Sequence, residues 1–184
     1  GSDNVFGICE DDEGYIWVAT MNGGLNRYDY RTNSFLTLKA DFQKPNSISG
    51  DWVQTVMYNS RKELWLSTSQ GIDIYNKETG LFKHFIHDTA DAKSISYNSA
   101  HIIFEDSKGN MWFGTDAGLN VFNRTDSSFL HYNEKDGLPD ASIKGICEDG
   151  LGNLWLSTNN GLSKFMEGVN KPVNPKFTNY TTED

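Results

Sequence analysis

A short phrase built around tryptophan recurs four times, and this repeat constrains the fold more than any other feature of the chain. In its fullest copies the tryptophan follows Glu-Asp and a Gly-Asn pair, and is itself followed by a small residue and a threonine. The four repeat tryptophans are Trp17, Trp65, Trp112 and Trp155, separated by 48, 47 and 43 residues. A repeat of that length is typical of a solenoid or a propeller.

Each repeat contains four short apolar runs with strand-like alternation, and helical spacing is absent. The first runs are Val5–Glu10, Val53–Tyr58, Ala100–Glu105 and Ile143–Glu148. Glycines in the turns between runs supply the positive φ that tight turns require. We therefore predict an all-β fold, a β-propeller segment of about four four-stranded blades. The repeats cover approximately 4–38, 52–85, 99–132 and 142–180.

Composition excludes several partners. The net charge is -9, which disfavours nucleic acid and anionic membrane surfaces because both require a basic patch. Nowhere does an apolar run approach the roughly 20 residues of a membrane helix. Gly1-Ser2 resembles a cloning scar, so we expect the propeller segment to occupy 3–184 of a chain cut from a longer protein.

The repeated phrase resembles the two-component regulator propeller repeat, most closely at 105–122 and 148–165. The second repeat departs from the pattern, with Asn59 in place of Asp and Lys62 in place of Gly. In that family, such repeats form two periplasmic propellers ahead of a β-sandwich, a membrane helix and a histidine kinase. The resemblance implies the periplasmic sensor region of a Bacteroides-type hybrid two-component system, which recognises oligosaccharides. It also implies a receptor anchored in the inner membrane outside this chain.

The order of runs predicts four whole blades with an uncovered face at each end. A face rich in Trp, Ile and Phe is an association site when it is exposed. We therefore expect this segment to belong to a larger, seven-bladed propeller. In isolation we expect it to self-associate, and the parent receptor to form a homodimer.

Residues that recur in every blade are expected to be structural. The four repeat tryptophans are interpreted as packing anchors between blades, since a ligand seldom contacts every blade identically. Asp11, Asp106 and Asp149 precede a tight turn, where aspartate bonds its own backbone two residues on. Cys9 and Cys147 are expected to be free thiols in the core. No metal site or cofactor is predicted.

Residues that vary between blades at one end of the propeller are the candidate ligand site. Trp52 lies 13 residues before Trp65, where the other repeats have polar residues. One further set lies 11 residues before its tryptophan, and another lies in the turns after the tryptophan strand. The predicted ligand-binding residues are Trp52, Gln54, His101, Lys144, Asp116, Asn159, Asn160, Gln70 and Asn22. Such a rim suits a neutral or cationic polyol, although an ordinary solvated rim with Trp52 closing the channel mouth is an equal interpretation.

We interpret the chain as a ligand-sensing segment with no catalytic residue of its own; the parent protein would carry histidine kinase activity elsewhere. Two alternatives stay open. One is a scaffold for protein–protein interaction. The other is a propeller lyase or hydrolase, for which His101 and Asp116 are the candidate pair, because fold does not fix function.

Overall fold

The computed structural model describes residues 2–166 and 176–181. Within them, the chain forms four four-stranded antiparallel sheets and a three-residue 3-10 turn at Glu134–Asp136. The prediction of an all-β propeller segment is confirmed. Gly1 of the predicted cloning scar lies outside the described residues.

The strands of each blade follow one another in sequence. Blade 1 contains β1 Val5–Glu10, β2 Ile16–Thr20, β3 Gly24–Asp29 and β4 Ser34–Leu38. Blade 2 contains β5 Val53–Tyr58, β6 Leu64–Thr68, β7 Ile72–Asn76 and β8 Leu81–Phe85. Blade 3 contains β9 Ala100–Glu105, β10 Met111–Thr115, β11 Gly118–Asn123 and β12 Ser128–Tyr132. Blade 4 contains β13 Ile143–Glu148, β14 Leu154–Thr158, β15 Gly161–Met166 and β16 Lys176–Tyr180.

The core lies between blades. The first strands β1, β5, β9 and β13 lie against one another in turn, so they form the inner wall of the segment. Trp17, Trp65 and Trp112 are each buried against the next blade, in three separate apolar clusters. Burying one indole removes about 150–250 Å² from water, an upper contribution of about 4–6 kcal/mol.

Blade 4 departs from the expectation of uniform burial. Trp155 is only half-buried, and its ring stacks on Tyr180 of its own blade at a centroid distance of 5.6 Å. Cys147 pairs with Trp155 across the ladder and is exposed, so the prediction that both cysteines are core thiols is wrong for Cys147. Both side chains point to a blade face that no described residue of the chain covers. Cys9, at the same position in blade 1, is half-buried, and burial raises the pKa of its thiol to about 12.

Glycine is required where the second strand of a blade turns into the third. Gly118 has φ of 124°, and a Cβ built there would lie 2.2 Å from the carbonyl oxygen of Tyr132 on the outer strand. Gly24 and Gly161 meet the same obstacle at the same distance. The recurrent glycine therefore serves the turn and the close approach of the outer strand together.

The connectors between blades are fixed to the outer strand of the blade that follows. Phe82 N donates to Asn46 O at 2.9 Å, and Phe129 N donates to Lys93 O at 2.8 Å. In blade 2 the connector is also held by His84, which bonds Asp73 through Nδ1 at 2.7 Å and the Pro45 carbonyl through Nε2 at 3.0 Å. The hydrogen bond that His84 donates to the Asp73 carboxylate raises the pKa of His84 against an opposing effect of burial, because the protonated ring donates from both nitrogens.

No helix among the described residues has the length and apolar character needed to cross a bilayer.

Candidate functional site

A β-bulge occupies the same position in the first strand of every blade. In blade 1 the ladder passes from Val5 to Gly7 and leaves Phe6 unpaired. The residues left unpaired in the other blades are Gln54, His101 and Lys144. A bulge re-aims the side chain of its extra residue, and bulges are frequent beside functional sites. One residue from each blade is therefore turned out of the regular ladder at the same end of the segment.

Polar side chains from three blades form one continuous chain at this end. Gln54 Nε2 lies 2.7 Å from His101 Nδ1, and His101 Nε2 lies 2.8 Å from Asp116 Oδ1. Lys144 Nζ lies 2.9 Å from both His101 Nε2 and the same Asp116 oxygen. Ser99 donates to Gln54 Oε1 at one end of the chain. Four of the nine predicted site residues are thus in direct contact, although they lie up to 90 positions apart.

The partners of His101 assign its tautomer. Ser99 occupies the Gln54 carbonyl oxygen as an acceptor, so the Gln54 amide donates to His101 Nδ1. His101 then carries its proton on Nε2 and donates it to Asp116, so Lys144 donates to the same Asp116 oxygen and not to Nε2. Neither ring nitrogen has an unused lone pair in this arrangement, because Nδ1 accepts and Nε2 donates.

The Asp116 carboxylate accepts hydrogen bonds from several side chains of the site. Burial acts to raise the pKa of its carboxyl group, but hydrogen bonds from Lys144, Ser142 and His101 outweigh burial and hold the pKa well below its usual range. Asp116 is therefore ionised at neutral pH and pairs with the Lys144 ammonium. The pair leaves this part of the rim close to electrically neutral.

An aromatic pair stands beside the polar chain. The rings of Phe6 and Trp52 lie 6.3 Å apart between centroids with an interplanar angle of 31°. Their exposures are 52% and 39%, so both rings retain open surface. The backbones of β1 and β5 are close at this level, where a Cβ on Gly7 would lie 3.5 Å from Thr55 Cα. Trp52 lies two positions before Gln54 in the sequence, so the aromatic pair adjoins the polar chain.

The other predicted residues do not enter the polar chain. Asn160 donates to the carbonyl oxygen of Pro139 in the connector, and Gln70 packs against the position of Gly50. Asn159 is exposed in its turn, and Asn22 is exposed with φ of 58°. These four amides lie at the turns between the second and third strands, outside the polar chain.

Sequence reasoning missed three contributors. Phe6 stands 11 residues before Trp17 and is the blade 1 counterpart of Gln54, His101 and Lys144. Ser99 and Ser142 stand 13 residues before their tryptophans and are the counterparts of Trp52. Applying the repeat register to every blade would have found all three.

The turn aspartates perform a structural task at the opposite end of the blades. In blade 1 the Asp11 carboxylate accepts from Glu13 N at 3.0 Å and from Trp17 Nε1 at 2.9 Å. Asp106 and Asp149 make the equivalent bonds in blades 3 and 4. The expected bond to the backbone two residues on is confirmed, and the indole N–H is satisfied by the same side chain.

A cleft of about 640 Å³ lies elsewhere, on the outer side of blade 3. Two of its cations are already paired, Arg124 with Glu63 at 2.8 Å and Lys93 with Asp126 at 3.4 Å. The cleft offers no converging set of groups like that around Asp116, so we place the candidate site at the bulge residues.

Comparisons with known proteins agree with the sequence resemblance. Three segments, 1–22, 94–117 and 137–160, match the model of the two component regulator propeller family. Each matched segment contains one repeat tryptophan, Trp17, Trp112 or Trp155. A 71-residue part, 39% of the chain, is 28% identical to histidine kinase P4 of Formosa agariphila. The chain spans about 5% of the length of that relative.

Solved structures share the fold. The chain aligns over 100% of its length with the extracellular domain of BT3049 from B. thetaiotaomicron, described as a hybrid two component system, at 24% identity and a TM-score of 0.85. It covers 25% of that chain. Virginiamycin B lyase from Staphylococcus aureus aligns over 97% of this chain and 55% of its own, at 16% identity and a TM-score of 0.68. Propellers with unlike activities thus share this architecture.

Proposed function

We propose that this chain is the ligand-recognition segment of an extracytoplasmic two-component sensor, located in the periplasm as part of an inner-membrane receptor. The family match and the likeness to extracellular domains of B. thetaiotaomicron two component systems support this role. The signal would pass to a histidine kinase outside this chain. Ligand must prefer one arrangement of the receptor over another, since equal affinity for both shifts nothing.

We propose further that the ligand is an oligosaccharide. The observation that carries this proposal is the exposed Phe6–Trp52 pair beside the Gln54–His101–Asp116–Lys144 chain. An aromatic face packs on the C–H face of a sugar ring, and amide, carboxylate and ammonium groups bond its hydroxyls. Because Asp116 and Lys144 offset each other's charge, a neutral glycan fits this rim better than a polyanionic one.

The test is isothermal titration of this chain with a panel of neutral and acidic oligosaccharides. Trp52→Ala should weaken binding of the best neutral ligand at least tenfold, a loss of about 1.4 kcal/mol. Asp116→Asn should do the same, because Lys144 would lose its partner. Tyr30→Ala is the control, since Tyr30 is an aromatic residue with more exposed surface than Trp52 and lies beside the turn glycine Gly14, away from the rim. Absence of glycan binding, or equal binding by all three variants, would refute the proposal.

The contact between His101 and Asp116 supports a second candidate, a propeller lyase or hydrolase. A general base needs a free lone pair, and both nitrogens of His101 are engaged in the polar chain. Recognition therefore fits the geometry better than turnover. If the chain depolymerises a glycan of the panel and His101→Ala abolishes that activity, the result would favour the enzyme instead.

A further inference from the structure

The hydrogen bonds of the Asp116 carboxylate all fall on one of its two oxygens. His101 Nε2 lies 2.8 Å from Oδ1, and Lys144 Nζ lies 2.9 Å from the same atom. Ser142 Oγ also donates to Oδ1. Among the residues that the structure describes, none bonds Oδ2. An ionised carboxylate has about four acceptor sites on its two oxygens, so the unused acceptor capacity of Asp116 lies on Oδ2.

This free oxygen lies on the open side of the carboxylate. The Asp116 side chain is 45% exposed, and three donors cover Oδ1. The donors come from blades 3 and 4, which are both described, so the arrangement does not depend on what precedes blade 1 or follows blade 4. A ligand that approaches the rim therefore meets Oδ2 before Oδ1.

The polar chain fixes which oxygen faces the protein. Ser99 donates to Gln54 Oε1, and the Gln54 amide donates to His101 Nδ1. His101 Nε2 then donates to Asp116 Oδ1. These three bonds run in one direction and end on Oδ1, and hydrogen bonds in such a chain polarise one another. The carboxylate is thereby held with Oδ2 left out of the chain.

The fold does not require an aspartate at this turn. The corresponding residues of the other blades are Met21, Ser69 and Asn159. In blade 2 the turn is held by a backbone bond, in which Ser69 N donates to the carbonyl oxygen of Trp52 at 3.0 Å. Since the turn forms in three blades with uncharged side chains, the carboxylate of blade 3 needs a reason other than turn formation.

An ionised acceptor at the rim selects a ligand group that donates. A hydroxyl and an ammonium both meet this requirement, and a hydrogen bond to a carboxylate is stronger than one between neutral groups. An ammonium would bring a second cation beside Lys144, whose Nζ already pairs with Oδ1. A ligand carboxylate would face Asp116 itself, and like charges placed together oppose association. A hydroxyl of a neutral sugar meets neither obstacle.

We propose that Asp116 Oδ2 is the acceptor by which the rim selects its ligand: a hydroxyl of a neutral sugar donates to Oδ2, and an amino sugar or a uronic acid is disfavoured there. This inference rests on the proposed function and adds the group of the oligosaccharide that the site requires. Asp116 touches the ligand, whereas Gln54 and His101 are positioning residues that act through Oδ1.

The variant Asp116→Asn isolates the role of Oδ2. Because three donors converge on Oδ1, the carbonyl oxygen of the new amide takes the place of Oδ1 and its NH2 group takes the place of Oδ2. The free acceptor thus becomes a donor. The same change leaves the Lys144 ammonium without a counter-charge, and adding Lys144→Met removes that second effect while the acceptor stays lost.

Isothermal titration of this chain with cellotetraose, xylotetraose, mannotetraose and galactotetraose tests the assignment. For the tetraose that wild type binds best, Asp116→Asn and the double variant should each bind at least tenfold more weakly. Ser69→Ala is the control at the corresponding turn of blade 2, where the backbone bonds Trp52, and should bind like wild type. In mildly acidic buffer, where its amines are protonated, chitosan tetraose should bind more weakly than that neutral tetraose. Circular dichroism verifies that each variant is folded.

The outcomes separate this inference from the proposed function. Recovery of wild-type affinity in the double variant would overturn the inference alone, because Asp116 would then act only by balancing Lys144. Wild-type affinity in Asp116→Asn, alongside weakened binding by Trp52→Ala, would do the same. Tighter binding of chitosan tetraose than of every neutral tetraose would overturn the assignment of a neutral donor. If wild type binds none of these tetraoses the inference fails, and the proposed oligosaccharide ligand fails with it when acidic glycans do not bind either.

Discussion

In blade 2 the carboxylate and the amide that hold the repeat tryptophan have exchanged places. In blade 3, Asp106 Oδ2 accepts from Trp112 Nε1 and from Asn110 Nδ2, both at 2.8 Å. In blade 2 the acceptor is Glu63, two residues before Trp65, and Asn59 takes the position of the aspartate. The exchange predicts that neither residue can be altered alone without loss, whereas altering both restores a working arrangement.

The expected magnitudes follow from the groups left without partners. Glu63→Asn removes the acceptor of the buried indole N–H, which costs about 1–3 kcal/mol of stability. It also removes a partly exposed ion pair with Arg124, worth about 1 kcal/mol. Asn59→Asp alone sets a second carboxylate beside Glu63 and should destabilise by about 1–2 kcal/mol. In the double variant the aspartate introduced at position 59 accepts from Trp65, so only the loss at Arg124, about 1 kcal/mol, remains.

Urea unfolding at neutral pH, followed by tryptophan fluorescence, measures all four members of this double-mutant cycle. We expect the double variant to be at least about 2 kcal/mol more stable than the sum of the single effects predicts. Additivity within about 0.5 kcal/mol would refute the exchange.

Acid unfolding of the same variants checks the role of Glu63 independently. Burial acts to raise the pKa of Glu63, but Arg124, Trp65 and Asn59 outweigh it and lower that pKa from 4.5 to about 2. The unfolded chain then binds the proton more readily, so this stabilisation is present above pH 4.5 and is lost as pH falls towards about 2. Glu63→Asn should lack that component of the acid transition.

Two further predictions concern the frame of the blades. Gly118→Ala should lower stability more than Gly80→Ala, because both glycines have positive φ but, of the two, only Gly118 lies against an outer-strand carbonyl. Urea midpoints measure the difference. Equal losses of stability would refute the argument from close approach. Since Asp73 raises the pKa of His84, its contribution is complete below pH 6.5 and is lost as pH rises through the folded-state pKa. The urea midpoint of His84→Asn should therefore fall most below that of wild type in mild acid, and an equal difference in mild acid and mild alkali would refute this role.

The repeat register made most of the fold predictable. The four first strands agree with the structure at both ends, because each alternates apolar residues and ends at a polar turn. The error at Cys147 arose because register predicts which way a side chain points, whereas burial also depends on what lies opposite. Trp155 shows the same limit, since its indole bonds Asp149 as in other blades yet stays half-exposed.

The candidate site was predictable in part. Variation at one register position singled out Gln54, His101 and Lys144, and in the structure Gln54 bonds His101 directly while Asp116 joins His101 to Lys144. The bulge that turns these side chains out of the ladder has no signature in the residues, because it depends on how the first strand meets its neighbour. Phe6 was missed for a simpler reason: an aromatic residue in a strand is usually interpreted as core.

The bulge separates two kinds of information in the chain. The residues beside the bulge are constrained by strand pairing and by the adjoining blade. The unpaired residue is under neither constraint, and its chemistry differs from blade to blade. A propeller built this way can change what it recognises by substitution at one position in each blade, while the blades keep their shape. Grafting the four rim identities of one relative onto another is the engineering route that this division of labour opens.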